Sequence, residues 1–126
     1  MIEISYDNVM NGLNKGISMS LICPTQQEAD RLYRNALDLW LVDGYSSAKN
    51  QERTINYGYR MPNGPISIRF KSLDSMRYDS WRGFRGIFLF HPCFDLKFLD
   101  NLPSVRMAQI DEMNHHNERY LEQWRA

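Results

Sequence analysis

GPISIRFKSLDSMRYDSWRGFRGIFLFHP, residues 64–92, sets an alternating strand, an arginine-rich loop and a continuous apolar strand in immediate succession. From Ile66 to Lys71 apolar and polar side chains alternate, the period of a strand with one buried face. Ile87 to Phe90 contains no polar residue, the pattern of a strand covered on both faces, and it is expected at the centre of a sheet. Residues 54–60 also read as a strand. Met61-Pro62-Asn63-Gly64 supplies turn residues between them and residues 66–71, so these two segments are expected to form a hairpin.

Further upstream, Pro24-Thr25-Gln26-Gln27-Glu28 opens the clearest helix of the chain. Thr25 is placed to accept from the amide three residues on, while Glu28 is placed to reach back to the Thr25 amide, a capping box. Ala29, Leu32, Tyr33, Ala36, Leu37 and Trp40 then form one apolar stripe, with Gly44 as the stop. Residues 17–23 precede this helix as a strand. Before them Tyr6, Val9, Met10 and Leu13 recur at helical spacing up to Gly16, and Ile2 and Ile4 mark a short element. Residues 45–52 read as a polar connection.

Downstream, residues 94–102 read as a short helix closed by Pro103, and residues 105–124 as a long terminal helix. Strands interleaved with helices imply the α/β class. The expectation is one domain over residues 1–126, a mixed sheet with a capped helix after the first main strand, a central hairpin and a long C-terminal helix.

Composition agrees with a packed domain: 126 residues, 43% hydrophobic, with three Trp, seven Tyr and six Phe are enough for one core and argue against disorder. No apolar run reaches the roughly 18 to 20 residues that cross a bilayer, and the first residues lack a signal-peptide pattern. A cytoplasmic location without a membrane partner is expected, with Cys23 and Cys93 as reduced thiols.

Formal charge sums to zero, but it is partitioned: −3 over residues 1–52, +5 over 53–94 and −2 over 95–126. Phosphate recognition depends on local potential, so a neutral total does not exclude a nucleic-acid surface. In Arg82-Gly83-Phe84-Arg85-Gly86 two arginines flank an aromatic ring between glycines, a combination suited to phosphate contact with base stacking. Arg69 and Lys71 project from one face of the preceding strand. If that face adjoins the loop, Arg69, Lys71, Arg77, Arg82 and Arg85 form one nucleic-acid-binding patch, with Trp81 and Phe84 as partner-binding aromatics. The opposing expectation packs Trp81 and Phe84 into the core and pairs the arginines with Asp74, Asp79 and acidic helices.

The stretch ISMSLICPTQQEADRLYRNAL, with the later order of hairpin, polar turn, RGFRG and four apolar residues, resembles the ATPase core of helicases and phage terminase large subunits. The resemblance spans residues 17 to about 102. It implies a nucleotide-binding architecture whose chemistry would need a Gly-rich GxxxxGK[ST] loop and an Asp-Glu pair after the apolar strand. Neither motif is present: His91-Pro92 stands where the acidic pair belongs, and Gly12-Leu13-Asn14-Lys15-Gly16 precedes a strand instead of following one. No catalytic residues, cofactor or metal are therefore expected. Cys23 or Cys93 with a histidine, and the Asp111, Glu112, His115, His116 run, are patterns that any helical polar face or small set of residues can produce.

Three function classes follow, the third being a small enzyme with an unrecognised site. One is a non-catalytic protein of phage or mobile-element type that binds nucleic acid, or a nucleic-acid-processing machine, through the basic surface of residues 69–85. Another is a protein-binding inhibitor or adaptor of a host defence or replication enzyme, anchored by Trp81, Tyr78 and Trp124 without direct nucleic-acid contact.

Overall fold

The computed structural model describes residues 1–41, 46–58, 65–77 and 81–126. Among these, five strands run β1 (Met19–Cys23), β2 (Ser46–Lys49), β3 (Thr54–Tyr57), β4 (Ile66–Ser72) and β5 (Ile87–Phe90). Five α-helices are α1 (Tyr6–Lys15), α2 (Gln26–Trp40), α3 (Leu96–Asp100), α4 (Ser104–Asn117) and α5 (Leu121–Arg125). The sheet order is β2-β3-β4-β1-β5. β1 runs parallel to both of its neighbours, whereas β2, β3 and β4 are joined antiparallel. The chain is a single small α/β domain with a mixed sheet, as its periodicity predicts.

Alternation along the strands divides the side chains into two layers. Met19, Leu21, Ile55, Ile68, Phe70, Ile87 and Leu89 lie on one face and form the larger core with Val9 of α1, Tyr33 and Trp40 of α2, and Trp124 of α5. Ile22, Phe88 and Phe90 lie on the other face, packed beneath Ile110 and Met113 of α4, with Leu73, Met76, Trp81, Phe84 and Phe94. Among the described residues this second core covers the β1 and β5 side of its face. On the β2, β3 and β4 side the same face carries Lys49, Thr54, Asn56, Ser67, Arg69 and Lys71.

Local signals explain the helix ends. Ser5 accepts from the Asn8 amide at 3.1 Å and starts α1; Gly16, at φ 69°, ends it in the left-handed region that glycine enters without Cβ strain. Thr25 accepts from the Glu28 amide at 3.2 Å, which begins α2 as expected. The reciprocal half of that capping box is absent. Glu28 instead pairs with Arg31, and His91 lies 3.5 Å from its carboxylate. The proposed Gly44 stop and the turn at residues 61–64 lie outside the described residues.

Three expectations are corrected. The polar connection contains a strand, β2, followed by a 3₁₀ turn over Asn50–Glu52. The terminal helix is interrupted between Asn117 and Leu121, so that α5 can turn Trp124 into the first core while α4 lies on the second. β5 is not central: it is the last strand of the ladder, and β1 holds the middle.

β5 nevertheless has the burial of a central strand because its outer edge is closed in two other ways. The Asn117 carboxamide takes the Phe88 amide on its Oδ1 at 2.7 Å and donates to the Phe88 carbonyl at 2.8 Å, imitating one residue of a neighbouring strand. Two residues further on, the Phe90 amide donates to the Ile2 carbonyl and the Ile4 amide to the Phe90 carbonyl, each at 2.8 Å. The outer edge of β2, by contrast, has no ladder partner among the described residues.

Candidate nucleic-acid interface

The part of the second face that no packed cluster covers among the described residues is a shallow hollow of about 290 Å³ lined by Lys49, Glu52, Thr54, Asn56, Ser67, Arg69 and Lys71. Its layout follows from register. Lys49 pairs with Thr54 and Thr54 with Arg69, so these three form one row across the sheet. Neighbouring strands lie about 4.8 Å apart, which puts the Lys49 and Arg69 backbones about 10 Å apart, while Arg69 and Lys71 are about 7 Å apart along β4. Thr54 lies between Lys49 and Arg69, and on the side of that row away from Lys71 the register partners Asn56 and Ser67 supply an amide and a hydroxyl. Three cations face one carboxylate, Glu52.

Arg69 links this hollow to the arginine-rich loop. Its guanidinium carbon lies 5.1 Å from the centroid of the Phe84 ring, close enough for a cation–π contact. Phe84 in turn meets Phe88 edge-on at 5.1 Å and stacks on His116 at 6.4 Å. Lys71 is held below the usual lysine range, first by partial burial and then by the Arg69 and Arg53 charges. A lysine so placed gains when an anion arrives to offset both causes.

The expected patch is thus only partly assembled. Arg69 and Lys71 share the hollow. Arg82 turns away toward α4, where its guanidinium lies 3.4 Å from the Glu112 carboxylate. Arg85 and Arg77 are exposed on the loops that flank the second core and do not line the hollow. Trp81 and Phe84 are 6% and 7% exposed and belong to the second core, so the partner-binding role read for them is corrected: their rings fasten the loop to the sheet. Trp124 is likewise buried in the first core. Tyr78 and Asp79 lie outside the described residues.

Lys49 and Arg53 were not among the residues singled out in the sequence. Arg53, at φ 46°, uses its carbonyl to accept from the Phe70 amide at 2.9 Å, and its Nε donates back to the Phe70 carbonyl at 3.3 Å. Lys49 could have been found only by recognising Ser46–Lys49 as a strand.

The carboxyl ends of β1 and β5 are the other place where chemistry is usually sought in a sheet of this kind. There the His91 Nδ1 accepts from the Cys93 amide at 3.1 Å and its Nε2 faces Glu28, so both ring nitrogens are engaged. Burial, ahead of the Glu28 charge, pushes the Cys23 thiol up to about 12, which removes the thiolate that nucleophilic chemistry needs. Among the described residues no group of three or more His, Cys, Asp or Glu side chains is placed to hold a metal ion. No described helix is long and apolar enough to cross a membrane.

No family model, no curated protein and no solved structure matches the chain.

Proposed function

We propose that this chain is a non-catalytic binding module that holds a single-stranded nucleic acid across the open half of its sheet. The observation that carries the reading is the row Lys49, Thr54, Arg69 with Lys71 beside it, on a sheet face that no helix covers among the described residues. Cations separated by about 7 to 10 Å along and across strands suit the successive phosphates of an extended strand. A duplex reader would need a protruding helix or ribbon to enter a groove. Here the cations lie on a flat face that a flexible single strand can follow. The usual stacking aromatic of such platforms is replaced by Arg69, whose guanidinium is backed by Phe84 and offers its other side to a base. Arg85 of the loop extends positive potential beyond the hollow.

The absent phosphate loop and acidic pair support a role without nucleotide hydrolysis. A protein-binding inhibitor gains no anchor from Trp81 or Trp124, whose rings are inside the two cores.

Binding titrations with a short single-stranded oligonucleotide at several salt concentrations test the reading. Each phosphate contact on a single strand contributes about −0.7 to the slope of log affinity against log salt. Arg69→Ala with Lys71→Ala should therefore make the slope shallower by about 1.4 while the circular dichroism spectrum stays that of wild type. Binding whose slope is unchanged in the double variant would refute the assignment.

A further inference from the structure

Beside the row of cations on the open sheet face runs a row of uncharged hydrogen-bonding groups. Ser47 pairs with Asn56 and Asn56 with Ser67, in step with Lys49, Thr54 and Arg69 two residues away on each strand. Two residues put the rows about 7 Å apart, and alternation sends both from the same face of the sheet. Asn56 and Ser67 line the hollow with Lys49, Arg69 and Lys71, and Ser47 continues their row on the exposed strand β2. The Thr54 hydroxyl already donates to the Glu52 carbonyl at 3.1 Å. The Asn56 carboxamide and the Ser67 hydroxyl have no hydrogen-bond partner among the described residues, while the Ser67 backbone is fixed by its amide, which donates to the Ser18 hydroxyl at 3.0 Å. No aromatic ring lines the hollow among the described residues.

We propose that this second row reads the ribose 2′-hydroxyl, so that the strand held on the sheet is RNA. The inference rests on the sheet-face binding proposed above and names its substrate class. A base offers a different set of donors and acceptors at each position, whereas a 2′-hydroxyl recurs beside every phosphate of the chain. A protein row parallel to the row that holds the phosphates meets this repeating group whichever base is attached. The chemistry matches as well: a 2′-hydroxyl both donates and accepts, and so do a serine hydroxyl and an asparagine carboxamide. DNA places a C–H bond there, which neither group can pair with. Lysine and arginine hold either nucleic acid through its phosphates; uncharged partners discriminate between the two without releasing further counterions.

The test measures binding of three short single strands of one sequence, RNA, DNA and 2′-fluoro RNA, to the wild-type chain and to the double variant Asn56→Ala with Ser67→Ala. The fluoro strand keeps the sugar shape of RNA and lacks the hydroxyl proton. Wild type should bind RNA about tenfold more tightly than DNA, the effect of one or two neutral hydrogen bonds, and should bind the fluoro strand like DNA. The double variant should lose the preference and keep the wild-type affinity for DNA. Its slope of log affinity against log salt with RNA should stay that of wild type, because no phosphate contact is removed. Equal affinity for RNA and DNA, or tighter binding of DNA, overturns the inference and leaves the sheet-face reading standing; binding of neither overturns both. A preference retained by the fluoro strand shows that sugar shape decides, and it overturns the inference, as does a preference that survives in the double variant. Should the double variant fail to fold, the three strands on the wild-type chain decide the matter alone.

Discussion

Replacing Asn117 with alanine would take away both hydrogen bonds that close the edge of β5 at Phe88. Asn117 and Phe88 are 4% and 1% exposed, so water cannot readily replace the lost partner. A buried backbone donor or acceptor left unpaired costs about 1 to 3 kcal/mol, and two are created at once, at Phe88 N–H and Phe88 C=O. The expected loss is about 4 kcal/mol, a large share of the stability of a domain this size. At about 2.1 cal/mol/K of unfolding entropy per residue, 126 residues convert that loss into a fall in Tm of about 15 °C. Urea unfolding with thermal melts gives the energy, and hydrogen exchange at the Phe88 amide gives the location. Asn114→Ala, the same chemistry one turn earlier without these bonds, should cost under about 0.5 kcal/mol. An Asn117→Ala protein within 1 kcal/mol of wild type, or one whose Phe88 amide stays protected, would refute the claim that this side chain acts as a strand substitute.

Gly86→Ala should destabilise by at least about 2 kcal/mol, because the added Cβ would fall 2.2 Å from the Ser18 carbonyl oxygen; denaturant titration checks it, and a neutral result would mean the loop sits elsewhere. Thr25→Ala should cost about 1 kcal/mol through loss of the α2 cap, measurable in the same way. His116 is held below the ordinary histidine value chiefly by burial, so the unfolded chain takes up its proton first as pH falls. The stability linked to its neutral ring is complete above about pH 6.5 and is lost as pH falls through the lower folded value. The Tm should drop on acidification across that window, and His116→Gln, which keeps a donor for the Gly86 carbonyl, should flatten part of the drop. For Lys71, whose ammonium is weakened by burial and by Arg69, oligonucleotide affinity should begin to fall at a lower pH than an ordinary surface lysine would dictate, and Lys71→Arg should remove that early decline.

What could be read from the sequence was whatever local chemistry decides. Thr25 announces α2, Gly16 ends α1, and the alternation from Ile66 to Lys71 fixes which side chains of β4 face each layer. The position of β5 was not readable, because a strand sealed by a distant asparagine and by Ile2 and Ile4 has the same four apolar residues as one flanked by two strands. β2 escaped notice for the opposite reason: Ser46-Ser47-Ala48-Lys49 buries little, and only pairing with β3 makes it a strand. The capping box was half right because Glu28 has a nearer cation in Arg31. The site divided in the same manner. Arg69 and Lys71 were legible as one face by period alone, whereas the direction taken by Arg82 depends on where α4 crosses the loop, which no local pattern encodes.

The incomplete cover of the second sheet face has a consequence for how this protein can change over generations. Lys49, Asn56, Ser67, Arg69 and Lys71 stand on strands whose opposite face is anchored in the larger core, and none of them belongs to either packed cluster. Apart from Arg69, whose guanidinium rests on the Phe84 ring, charge, size and hydrogen-bonding character can be exchanged there while Ile55, Ile68 and Phe70 beneath keep the platform in shape. On the β1 and β5 side no such freedom exists, since each outward side chain there is also an inward one for α4. The molecule is thus divided along β1 into a half where sequence is constrained by packing and a half where surface chemistry can be retuned at little risk to the fold.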